Sequence, residues 1–117
     1  MQIKNARINY TKLGREDHGI MTFIIGLDFD GCCHQGVGCY ALDGYDKSTK
    51  TRVFSAKSME AVSKILEVVG VDYWEQLPGK YVRFKDQGHG KPIDEIGNIM
   101  EDKWFNLREF FRSVTDI

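Results

Sequence analysis

The chain has almost no surplus charge: sixteen Lys and Arg stand against seventeen Asp and Glu, a formal net charge of -1 over 117 residues. Proteins whose main partner is a nucleic-acid backbone usually carry a basic excess, so that class is disfavoured for the chain as a whole. No run approaches the roughly eighteen apolar residues that a membrane span needs. The start, Met1-Gln2-Ile3-Lys4-Asn5, lacks the apolar stretch of a secretory signal. Cysteine is scarce, with three in all and two of them adjacent, and an odd count argues against a disulfide framework and for a reducing compartment. Repeats, linkers and low-complexity runs are missing too. The expectation is a soluble cytoplasmic protein with one domain over residues 1–117.

What is present fits that class. Hydrophobic residues make up 42% and charged residues 28%, close to the averages for folded domains. A chain of this length buries roughly two-thirds of its unfolded surface, enough for one real core.

Residues 2–13 alternate imperfectly through Ile3, Ala6, Ile8, Tyr10 and Leu13, and the run Gly14 to Gly19 then breaks the pattern. Residues 20–29 are rich in β-branched and aromatic types, so the pair reads as a β-hairpin. Val37 to Leu42 reads as a third strand, ended by a turn over Asp43 to Ser48. A helix is predicted from Ser58, as cap, to Val69, with Met59, Val62, Ile65, Leu66 and Val69 as its apolar stripe and Gly70 as its left-handed end. Asp72 to Glu75 has capping-box spacing and predicts a short helical turn. Lys80 to Lys85 alternates basic with apolar residues, as a half-wet strand does. A further strand is expected at Ile93 to Met100, and Asn106 opens a C-terminal helix through Ser113. The class is α+β, with a mostly antiparallel sheet of about five strands, one amphipathic helix packed on it and a short C-terminal helix.

Candidate chemistry concentrates in Asp30 to Tyr40, which holds Cys32, Cys33, Cys39, His34 and the glycines Gly31, Gly36 and Gly38. Cys32, His34 and Cys39 are weak metal candidates, with His18, His89, Asp28 or Asp30 as remote ligands. Neighbours on an extended chain point to opposite sides, and structural zinc sites use paired ligands two to four residues apart. The same geometry separates a Cys33 nucleophile from His34, and no orienting acid is identifiable. The glycines could aim backbone N–H groups at an anion, but the lysine and the following helix of a nucleotide loop are missing. Asp28 and Asp30, or Asp43 and Asp46, could hold a divalent cation, yet acids at strand ends commonly just favour solvent. Two basic stretches, Lys4 to Arg15 and Lys80 to Lys85, read mainly as solvated faces.

Leu13 to Ile20, His34 to Asp43 and Ile99 to Phe105, together with Met59 to Trp74, resemble a family of small proteins encoded in bacteriophage and prophage genomes. The resemblance implies a phage accessory protein in the cytoplasm of a bacterial host, and it carries over no catalytic residue. The three cysteines stand where small or glycine residues are expected in such relatives, which weakens the metal and thiol readings. The expected function is stoichiometric binding without enzymatic activity or cofactor, for example inhibition of a host defence system such as a CRISPR nuclease. Gln35, Gly36, Gly38, Tyr40, Asp43, Tyr45 and Trp104 are the expected contact residues, because aromatic and backbone-rich surfaces bind at low ordering cost. The expected partner is a host or phage protein, with a small nucleotide as the alternative ligand, nucleic acid less favoured, no membrane, and homodimerisation left open. A metal or thiol enzyme centred on the loop Cys32 to Cys39 is the third reading.

Overall fold

The computed structural model describes residues 1–16 and 18–112. The strands are β1 (Gln2–Glu16), β2 (Ile20–Phe29), β3 (Cys33–Gly38), β4 (Asp43–Asp46), β5 (Thr51–Phe54), β6 (Tyr81–Asp86), β7 (Glu95–Asn98) and β8 (Trp104–Asn106). The helices are α1 (Ala56–Val69) and α2 (Leu107–Arg112), and a 3-10 turn spans Trp74–Gln76. Six strands form an antiparallel sheet in the order β3-β2-β1-β6-β7-β8, and β4 pairs with β5 in a separate hairpin. The fold is α+β, as expected, with more strands than the sequence suggests. Among the described residues no helix is long and apolar enough to cross a membrane.

Alternation in β1 sends Ala6 and Ile8 inward, where they meet Phe23, Ile25 and Leu27 of β2 and Val82 and Phe84 of β6. A bulge between Ile8 and Tyr10 shifts the register once, and β1 then continues through Gly14 to Glu16. Those three residues are strand, so the expected turn contracts toward His18 and Gly19, both at positive φ; Asp17 lies outside the described residues.

Five local expectations are corrected. The third strand is Cys33–Gly38 and not Val37 to Leu42, because Gly36 and Val37 pair with Gly26 and Ile25. Asp43–Asp46 is a strand, and the turn comes after it. Helix α1 is capped by Ser55, whose hydroxyl accepts from the Lys57 N–H, while Gly70 closes it at φ 91° as expected. Its buried face is Ser58, Ala61, Ile65, Val68 and Val69, one position away from the predicted stripe over its first turns, so Met59 is 70% exposed. The box at the 3-10 turn uses Gln76, whose side-chain oxygen accepts from the Asp72 and Tyr73 N–H groups. Helix α2 is capped by Asn106, which accepts from the Glu109 N–H at 2.9 Å; its predicted end at Ser113 lies outside the described residues.

Candidate functional site

The loop that gathers the cysteines is the turn of the β2–β3 hairpin, with Asp30 at φ 52° and Gly31 at φ 78°. Cys32 and Cys33 are exposed free thiols. Lost hydration, the adjacent Cys32 and the nearby Asp30 push the Cys33 thiol up, the opposite of what a nucleophile needs. His34 stands across the strand pair from Asp28, and its Nδ1 contacts the Asp28 carboxylate, which also accepts from Asn9 Nδ2 at 2.8 Å. Asp28 is thus the orienting acid that the sequence left unidentified. Alternation nevertheless sends Cys33 to the other face of β3, and Cys39 lies beyond its far end, about 20 Å away at strand rise. Among the described residues no three His, Cys, Asp or Glu side chains gather around a common point. Cys32, His34 and Cys39 are not brought together, nor are His18 or His89 placed to complete such a set.

Beside this turn lies a cleft of about 420 Å³, lined by Lys4, Asp30, His34, Asp86 and His89. Lys4 Nζ sits between Asp30 at 2.6 Å and Asp86 at 2.9 Å. These bonds hold the ammonium well above the usual lysine range and the Asp86 carboxyl below its own. The lysine of this cleft, the cation nearest to hand for a phosphate, is already bound by two carboxylates.

The expected contact residues do not share a surface. Gln35 donates to the Lys91 carbonyl at 2.9 Å. Gly36 lies under the Ile24 side chain. Gly38, at φ 115°, passes so close to Phe23 that a Cβ would sit 2.9 Å from its carbonyl oxygen, so its role is conformational. Tyr40 stacks on Phe111 with centroids 4.5 Å apart, and burial pushes its hydroxyl pKa up. Asp43 is 3% exposed and takes Arg52 Nη2 at 2.6 Å and the Met21 N–H at 3.2 Å, so it is a buried structural carboxylate and not a contact group. Tyr45 is exposed on β4. Trp104 belongs to β8, at the sheet edge opposite β3. Its indole donates to Asp102, and Arg83 and Lys85 each lie 4.9 Å from its ring. No protein-family model, curated protein or solved structure matches this chain.

A different surface does assemble. Leu13 of β1, Met21 of β2, Leu42, Phe54 of β5, and Met59 and Val62 of α1 line an apolar groove of about 260 Å³. Phe54 is 69% exposed and Met59 70%, so two large apolar side chains of the groove face solvent. Both groove walls come from the corrected elements, the unforeseen strand β5 and the rotated face of α1. The signal for β5 was Thr51-Arg52-Val53-Phe54, three good strand formers and one arginine following a polar turn. Near the groove Arg52 is neutralised by Asp43, Glu60 faces Lys64 at 3.9 Å, and Lys57 Nζ lies 5.7 Å from the Phe110 ring.

Proposed function

We propose that the protein acts by stoichiometric binding, with the groove between the β4–β5 hairpin and α1 as its contact surface. The observation that carries this reading is the exposure of Phe54 and Met59 side by side on one apolar groove. Exposed large apolar side chains contiguous with a groove mark interaction surfaces in soluble proteins. The partner that fits is a protein segment that offers apolar side chains to the groove, whose lining is apolar apart from Ser55 and Ser58. In the setting implied by the resemblance to phage proteins, that partner is a component of a bacterial defence system, and binding blocks it. The nucleotide alternative is weaker, because Asp30 and Asp86 occupy Lys4 in the cleft that would take a phosphate.

The test compares capture from a bacterial host lysate by the wild-type chain and by a Phe54→Glu, Met59→Glu variant. Both side chains are exposed, so the variant keeps the fold, as its melting curve would verify. The expected result is a protein retained near one-to-one by the wild type and reduced at least about tenfold by the variant, as loss of a central apolar anchor implies. Equal retention by both chains overturns the assignment of the groove. A melting temperature raised by nucleotides, with nothing retained, moves the function to the small-ligand reading.

A further inference from the structure

Among the described residues no element covers the face of the six-stranded sheet opposite α1. Because Ala6, Val82 and Phe84 point into the core, alternation turns Asn5, Arg7, Tyr81, Arg83 and Lys85 outward on the neighbouring strands β1 and β6. The register extends this row, with Arg83 opposite Gly97 and Gly97 opposite Trp104. The two basic stretches that are far apart in sequence therefore meet on one surface, interleaved with aromatic rings.

Tyr10 is 48% exposed and Tyr81 57%, and Trp104 is half-buried. Two glycines let rings lie close against the strands. A Cβ at Gly26 would stand 2.1 Å from the Tyr10 ring, and one at Gly97 would stand 2.6 Å from Trp104. The acids of this face already have partners: Glu95 holds Lys85 at 3.2 Å, Glu16 contacts Lys12, and Asp28 contacts His34. Arg83 donates instead to the carbonyls of Asn98 at 2.7 Å and Glu101 at 2.8 Å, which fix the guanidinium without cancelling its charge. Arg7 makes no ion pair among the described residues. Among the described residues two cations without carboxylate partners thus stand near three rings on one face of the sheet.

We propose that this face binds single-stranded nucleic acid, with the exposed Tyr10 and Tyr81 stacking on bases and Arg7 and Arg83 taking phosphates. Stacking on aromatic side chains needs bases whose faces are free, which a duplex does not offer, and it tolerates any base sequence. The balanced net charge makes the affinity moderate, and the salt dependence is modest because only two phosphates are engaged. The site lies across the sheet from the apolar groove, so the two proposals fail independently.

The test is fluorescence anisotropy of labelled single-stranded DNA, single-stranded RNA and duplex DNA, each about twelve nucleotides long, at about 50 and 200 mM salt. Either single strand should bind at least about tenfold more tightly than the duplex, and Tyr81→Ala should weaken binding about tenfold. Arg7→Ala should lower the slope of log affinity against log salt by about one. Both side chains are exposed, and unchanged melting curves would show that the variants fold. No binding at the lower salt overturns the proposal. So does equal binding of duplex, or Tyr81→Ala and Tyr10→Ala variants that bind like the wild type.

Discussion

Asp43 shows how a single residue can look like a surface group in sequence and be a structural one in the fold. Its flanks read as the end of a strand at Leu42 and the start of a turn at Gly44-Tyr45, yet its carboxylate is buried between β2 and β5. The Arg52 hydrogen bonds, helped by the Met21 N–H, hold its carboxyl below the usual range against the cost of burial. A depressed carboxyl stabilises the fold at every pH above its unfolded value, and that stabilisation is lost as pH falls through the folded value. Asp86, held down chiefly by Lys4, has the same sign. The urea midpoint should therefore drop as pH is lowered below about 4, the unfolded Asp value. Asp43→Asn should cost about 2 kcal/mol at neutral pH, by leaving Arg52 unmatched, and should flatten part of that acid dependence. Urea titrations of both proteins from neutral to acid pH would check this, and parallel pH profiles would disprove the role given to Asp43. No sequence pattern announces such a pair, because Asp43 and Arg52 meet only once β4 and β5 form.

At the scale of elements, the helix was legible and its register was not. The three- and four-residue spacing of apolar side chains located α1 to within two residues, and Gly70 marked its end correctly. Two serines compete as its cap, however, and the periodicity from Met59 fits the stripe as well as the periodicity from Ser58 does. Packing decides: small Ser58 and Ala61 face the core, while Met59 turns outward to the groove. The pair makes a sharp prediction. Ser55→Ala should cost about 1 kcal/mol, because its hydroxyl accepts a first-turn N–H. Ser58→Ala should be neutral or slightly stabilising, because the Ser58 hydroxyl is buried with no hydrogen-bond partner among the described residues. Thermal melts of the two variants separate the assignments, and the reverse order of stabilities would restore Ser58 as the cap. Strand β5 was missed for a related reason: the polar residues Asp46 to Lys50 are the turn inside a hairpin, and from sequence they read as the end of one strand.

At the scale of the molecule, the candidate sites depend on which distant strands become neighbours. The pairing of β1 with β6 joins residues some eighty positions apart and brings Arg7 beside Tyr81, which no local pattern reveals. The same topology separates Gln35 from Trp104, placing them on opposite edges. It also leaves the β4–β5 hairpin outside the main sheet, tied to β2 through the Leu42 N–H to Met21 carbonyl bond and the Asp43 carboxylate. Strands β1, β2 and β6 instead bury Ile8, Ile25, Leu27, Val82 and Phe84 almost completely. A unit held by few buried contacts opens before the global transition, while central strands exchange only through complete unfolding. Native-state hydrogen exchange should therefore give the cross-bonded amides of the hairpin an opening free energy at least about 2 kcal/mol below those of Ile25 and Val82. Equal protection would mean that hairpin and sheet form one cooperative unit. Phe54 would then be presented to its partner on a rigid wall, where separate opening would let that wall adjust to what it binds.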